Sequence, residues 1–416
     1  MTKNVTLLMI ILVMFCVILV TFNCSWGQIS DTWTRKASMH TERSQLGMAT
    51  LDGKIYAIGG CTAEGFIPNS FGNHYKNLNW ISKVNEEYDP ETNSWLTKTS
   101  MPTARYNFEV AACQSKIYCI GGVTDWYVGY YTNYTTKNEV YDPITGEWET
   151  KASSPQEEIG QANVVNNKIY LVGGGTEGTL TQVYDPSTDT WTSKAPLPEK
   201  IRFQVSAVAN SKIFVFGYMT LSDNEVYSKG FVYDPIADEW SNCTGIPMEA
   251  FKDKNGFFSG YWYSTRASAT TGEKGPLRVY VFFSGYMNSG PIPVMEYNPM
   301  NNSWSNVSEQ TVNRQNFAVA TLNDKVYVVG GEALAYPFPG DSYFTVEVLK
   351  DNMEYTPFGY GTPEIKPTAI NEPTLTRSLT ETATQHNPFN IIVVTGVVTV
   401  ALIGIGLFFH KKKQQN

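Results

Sequence analysis

One ten-residue phrase, written five times, constrains this chain more than any other feature. It reads EEYDPETNSW, EVYDPITGEW, QVYDPSTDTW, FVYDPIADEW and MEYNPMNNSW, closing on Trp95, Trp148, Trp191, Trp240 and Trp304, with an earlier counterpart at Trp33 in DTWTRKASM. The gaps between successive tryptophans are 62, 53, 43, 49 and 64 residues, which bracket the length of a four-stranded propeller blade carrying loop insertions. Six tryptophans therefore predict six blades.

A second phrase keeps step with the first: GKIYAIGG, SKIYCIGG, NKIYLVGG, SKIFVFGY and DKVYVVGG, with a divergent copy RVYVFFSGY. Each follows a turn such as Asp52-Gly53 or Asn166-Asn167, dipeptides that accept the positive φ of a tight hairpin. Each continues as a short apolar run suited to a buried strand. The glycine pairs Gly59-Gly60, Gly121-Gly122, Gly173-Gly174 and Gly330-Gly331 permit close backbone approach where strands crowd. In the Asp-Pro step the carboxylate accepts local backbone hydrogen bonds and the proline presets φ. Each tryptophan is expected to bury its ring between neighbouring sheets. No single sheet of this kind buries enough to stand alone, so the units must stack and close.

The YDPxTxxW and KIYxxGG phrases, with an arginine before the first strand at Arg43, Arg105, Arg202 and Arg314, resemble the kelch repeat. The resemblance covers residues 31–356 and implies an all-β, six-bladed propeller. Unit five departs most, with Asn298-Pro299 for Asp-Pro and FFSGY for the glycine pair; unit three has Glu157, Glu158 and Ile159 where the arginine belongs. The resemblance also implies a shared closing blade, with Trp33 to Met39 as the outer strand of the unit built from Arg314 to Leu349.

The flanks set an expected address. Residues 5–22 are an uninterrupted apolar run after Lys3, and Ser25-Trp26-Gly27 follows; residues 1–27 read as a secretory signal, cleaved after Gly27 or kept as an anchor. Residues 357–390 are rich in Thr, Pro and Glu and read as a stalk. Residues 391–409 are 19 uncharged residues, enough for a transmembrane helix. Lys411, Lys412 and Lys413 then place the tail 410–416 in the cytoplasm and the propeller outside the cell.

Cys61, Cys113, Cys119 and Cys243 would meet an oxidising compartment, as one disulfide or as buried thiols. Sequons stand at Asn133, Asn242, Asn301 and Asn306. A net charge of -8 argues against a nucleic-acid partner.

Loops joining the second and third strands share a face with those entering the first, and in units one, two and six they are long. They carry Tyr75, Trp80, Trp126, Tyr127, Tyr130 and Tyr336. Rings on loops of a rigid scaffold suit a binding face for a glycan or protein, or else pack the loops themselves. The four arginines are expected near the same mouth. The resemblance implies contacts to ligand carboxylates there, or bridges to the neighbouring blade.

No P-loop, GxSxG or HExxH motif is present, and neither a metal site nor a cofactor is expected. Copper radical oxidase chemistry is disfavoured: only His40 and His74 precede the stalk. The sequence reading is a membrane-anchored binding or adhesion module, not an enzyme; the alternative is a surface enzyme resembling a kelch sugar mutarotase.

Overall fold

The computed structural model describes residues 31–62, 66–67, 74–75, 80–126, 132–157, 159–174, 178–220, 226–251, 266–283, 292–310, 314–335 and 345–361. These form six antiparallel four-stranded sheets, each a blade. Blade 1 is Gly47–Leu51, Lys54–Ile58, Asn85–Asp89 and Ser94–Lys98; blade 2 is Glu109–Cys113, Lys116–Ile120, Asn138–Asp142 and Glu147–Lys151. Blade 3 is Ile159–Val165, Lys168–Gly174, Thr181–Asp185 and Thr190–Ser193; blade 4 is Arg202–Ala209, Lys212–Thr220, Val226–Asp234 and Glu239–Cys243. Blade 5 is Arg266–Thr270, Val279–Phe283, Ile292–Asn298 and Ser303–Gln310. Blade 6 is Ala318–Leu322, Lys325–Val329, Asn352–Thr356 and, from the other end of the chain, Thr32–Lys36. The first strand of each blade touches that of the next, and blade 6 touches blade 1, so the ring closes.

The repeated letters have local reasons. Asp52 and Gly53 (φ 50° and 72°), like Asn166 and Asn167 (50° and 59°), take the paired left-handed conformation of a two-residue hairpin. The Asp of each YDP accepts the amide two residues on: Glu91 to Asp89, Ile144 to Asp142, Ser187 to Asp185 and Ile236 to Asp234. The same carboxylates pair with the lysine that opens the second strand, Lys54, Lys116, Lys168 and Lys212.

Each tryptophan packs on the tyrosine of its own blade's third strand at ring-centroid distances of 4.9–5.0 Å and reaches the preceding blade with its indole N–H. Trp95 donates to Ala37 O, Trp148 to Thr99 O, Trp191 to Ala152 O, Trp240 to Ala195 O, Trp304 to Thr244 O and Trp33 to Ser308 Oγ. The core lies between blades as a series of apolar clusters.

The third strand of blade 6 differs from expectation: it is Asn352–Thr356, beyond the Arg314 to Leu349 stretch. Thr345–Val348 pairs instead with Glu332–Ala335 in a hairpin of its own.

The apolar runs 5–22 and 391–409 and the stalk residues 362–390 lie outside the described residues. Among those described, no helix is long and apolar enough to cross a membrane.

Candidate binding face at the channel mouth

Arg43, Arg105 and Arg314 are structural, which corrects their expected place at the mouth. Arg43 is fully buried; its Nη1 donates to Ala57 O, Gly59 O and Val84 O at 3.0–3.2 Å, and its Nη2 to Glu86 Oε2 at 2.6 Å. Arg105 repeats this, with Nη1 on Gly121 O and Lys137 O (both 3.1 Å) and Nη2 on Glu139 Oε2 (2.5 Å). Arg314 keeps the glycine link, Nη1 to Gly330 O at 3.2 Å, but Met353 stands where blades 1 and 2 carry Glu86 and Glu139. Burial lowers the Arg43 pKa against the raising pull of Glu86, and lowers that of Arg314 to about 10. The side chain of Arg202 lies outside the described residues.

The glycine pair belongs to this joint. Gly60 N donates to Arg105 O and Gly331 N to Arg43 O, both at 2.9 Å, so blades 1 and 6 each hang on the arginine backbone of the next. A Cβ at Gly59 (φ 62°) would stand 2.7 Å from Arg105 O, closer than any side chain tolerates.

Two residues past each arginine the chain turns into the mouth. Gln45, Asn107 and Asn316 hold left-handed φ of 54°, 48° and 56°. Gln45 N donates to Asn316 O (2.7 Å) and Asn107 N to Gln45 O (3.2 Å), a backbone relay through blades 6, 1 and 2. These residues line an axial cavity of about 720 Å³ that all six blades wall. Glu109 also lines it, half-buried, with Oε2 accepting Ala162 N at 2.8 Å. Burial pushes the Glu109 carboxyl up to about 7, against the lowering effect of that amide bond.

The sequence reading overlooked this ring. The available signal is the amide two positions after each arginine, at Gln45, Asn107, Gln204 and Asn316.

The long loops of three adjacent blades begin as hairpins: Phe66–Ile67 with His74–Tyr75, Val123–Trp126 with Thr132–Tyr134, and Glu332–Ala335 with Thr345–Val348. At the foot of each connection, the residue following the glycine pair exchanges two backbone hydrogen bonds with the residue following the arginine. Cys61 pairs with Ser44, Val123 with Tyr106 and Glu332 with Gln315, at 2.8–3.1 Å. One chain segment thus carries the buried arginine, the hairpin foot and the mouth residue.

Trp80 is a further correction. It is 3% exposed and packs on Tyr106 at 5.2 Å, beside Cys61, Ile81 and Val123, so it supports the loop foot instead of facing a ligand. Tyr75 and Trp126 sit in the hairpins by their backbone, with side chains outside the described residues, as are Tyr127, Tyr130 and Tyr336 entirely. Two exposed rings the sequence reading passed over lie on this face, Tyr134 (40%) and Tyr227 (44%). Cys61, Cys113, Cys119 and Cys243 are free thiols; burial pushes Cys113 up to about 11 and Cys119 up to about 12.

Residues 42–102 and 104–155, which contain blades 1 and 2, match the Kelch motif. This is a six-bladed propeller with the Kelch motif in blades 1 and 2. The chain is 29% identical over 227 residues to Kelch-like protein 25 of Xenopus tropicalis, covering 53% of this chain and 36% of that protein. It is 30% identical over 220 residues to human Kelch-like protein 23, with 52% and 36% covered, and 26% identical over 227 residues to Beta-scruin of Limulus polyphemus, with 52% and 23% covered. The matched region thus spans about a quarter to a third of the length of these relatives.

Proposed function

We propose that this kelch propeller is a protein-binding module that engages its partner over the sector of blades 6, 1 and 2. The observation that carries the reading is the shared foot of the three hairpins: neighbouring blades raise their loops beside one mouth, rooted in the buried arginine joints. A rigid base with projecting loops keeps the ordering cost of binding low. The similarity to Kelch-like proteins and to a scruin supports a binding role. A mutarotase-like site is disfavoured because the guanidinium groups of Arg43 and Arg105 are engaged inside their own blades.

The apolar runs 5–22 and 391–409, with Lys411 to Lys413 after the second, support a tethered form with the propeller outside the cell as an adhesion module. Protease shaving of intact cells tests this: a propeller protected until the cells are lysed would refute it.

For the binding face, the full chain in detergent micelles is panned against a displayed protein library, with a glycan array in parallel. Tyr134→Glu is expected to weaken selected protein binders at least tenfold, while Ile236→Glu, on an exposed turn of the opposite face, leaves them unchanged. Binders that respond only to Ile236→Glu, or a ligand found only among the glycans, would overturn the reading.

A further inference from the structure

The described cavity wall has an unusual balance of hydrogen-bonding groups. Gln45 Oε1 and Gln161 Oε1 are buried without a hydrogen-bond partner, and Glu109 gives one carboxylate oxygen to Ala162 N. The donor ends of two further amides are turned into the protein: Gln204 Nε2 to Val172 O at 2.5 Å and Asn316 Nδ2 to Glu332 Oε1. Those partners fix both amide orientations, since a flip would set oxygen against oxygen. No lysine, arginine or histidine is among the described lining residues. The described wall thus offers two bare amide oxygens and a carboxylate but no cationic donor, and a buried acceptor left unpaired costs roughly 1–3 kcal/mol.

The occupant that corrects this balance carries several N–H donors and a positive charge. We propose that the axial mouth receives the ammonium or guanidinium of a lysine or arginine side chain from the protein partner, paired with Glu109 and hydrogen-bonded by Gln45 and Gln161. This deepens the binding-module reading and rests on it for the source of the side chain. It also reverses the ligand charge that the resemblance implied. The three groups sit at the first strands of blades 1, 2 and 3, and blade 2 packs directly against both neighbours. A cavity of about 720 Å³ accommodates such a chain with room to spare.

No described opposite charge competes for Glu109. The strands beside it bring Gly47 and Met48 from blade 1 and Gln161 and Ala162 from blade 3 to the cavity. Arg105 is paired with Glu139, and Glu332 is turned to Gln315 and Asn316. Protonating Glu109 removes the anchor, so the grip weakens as pH falls below about 7.

The test titrates the full chain in micelles with N-acetyl-lysine methylamide at pH 8, using the norleucine and glutamate analogues as uncharged and acidic probes. The lysine probe is expected to bind saturably at one site, at least tenfold more weakly to Glu109→Gln and at least fivefold more weakly at pH 5.5; neither analogue should bind. Thermal melts check that the variant folds. Should it not, Gln161→Met replaces it, with at least a threefold loss expected. Equal binding of the norleucine probe, no lysine binding, or binding unchanged by these variants would overturn the inference. Library binders that keep full affinity for Glu109→Gln would sink it too while leaving the binding-module reading intact. Lysine-probe binding with no library binder would instead sink that reading and leave the mouth chemistry standing.

Discussion

At the scale of single residues, one missing side chain stands out against five that are present. The residue two before each tryptophan accepts the hydroxyl of its blade's tyrosine: Asn93 from Tyr88, Asp189 from Tyr184, Asp238 from Tyr233, Asn302 from Tyr297 and Asp31 from Tyr355, at 2.5–2.8 Å. Four of these oxygens also take an amide from the preceding blade, at Ala37, Ala152, Ala195 and Thr244. Blade 2 has Gly146 there, and the Tyr141 hydroxyl is buried without a partner. Gly146 sits at φ 72° with space for a Cβ, its nearest neighbour being Thr99 Oγ1 at 3.7 Å, and asparagine tolerates that φ. Gly146→Asn should stabilise the protein by about 1 kcal/mol, read as a raised urea midpoint; a midpoint unchanged or lowered would refute the staple. Glu109 gives a pH signature. Its folded pKa of about 7 lies above the unfolded carboxylate range near 4.3. Between those values the folded state holds a proton that the unfolded chain releases, so this group's contribution falls as pH rises through the window. Glu109→Gln should match the parent near pH 4 and exceed it at pH 8 by at most about 4 kcal/mol, less where channel water screens the charge. A gap that is constant with pH would count against the raised carboxyl.

The elements were legible to different depths, for reasons that particular residues show. The strand pairs and their turns could be read because KIYxxGG and YDPxTxxW carry local chemistry: left-handed turn residues, an Asp that binds its own backbone, an apolar run. The arginines were misplaced because their partners are not local. Arg105 meets Gly121 O and Lys137 O, 16 and 32 residues away, and nothing in the order of letters announces strand carbonyls as ligands. Glu86 and Glu139 could have given a hint, since each stands two before its tyrosine, but only blades 1 and 2 place a glutamate there. The joint makes a testable claim about coupling. Glu139→Ala leaves the Arg105 charge buried and also removes the acceptor of Thr103, so a loss of about 3–5 kcal/mol is expected. Arg105→Met should cost a similar amount by abandoning the two carbonyls. The double variant should fall short of the sum by about 2 kcal/mol or more. Additive losses in urea unfolding would mean that the pair acts as two independent anchors.

At the scale of the whole molecule, six tryptophans announced six blades, while blade 6 hid its third strand behind an added hairpin. That blade is also the only one built from two distant parts of the chain. Thr32–Lys36 pairs with Asn352–Thr356 in register from Thr32↔Thr356 to Lys36↔Asn352. Asp31 Oδ1 accepts both Tyr355 Oη and Phe358 N, and Trp33 lies against Tyr355 and Phe282 of blade 5 at 5.0 and 6.2 Å. In every other blade a short turn ties the outer strand to the third and survives their transient separation; the clasp has no such turn, and non-covalent contacts alone bring Thr32–Lys36 back. Opening it exposes sheet edges on both sides without unfolding blades 1 to 4, which makes it the natural site of sub-global opening. Trp33→Ala removes the largest ring in the clasp and should cost about 3–5 kcal/mol. In native-state hydrogen exchange the amides of Thr32–Lys36 and Asn352–Thr356 should lose protection together and by the same factor, while those of Lys168–Gly174 in blade 3 keep theirs. Trp191→Ala, the matching change in blade 3, should instead deprotect blade 3 and spare the clasp. If Trp33→Ala lowers protection evenly around all six blades, the ring opens only by global unfolding and the clasp is no weaker than the blades it joins.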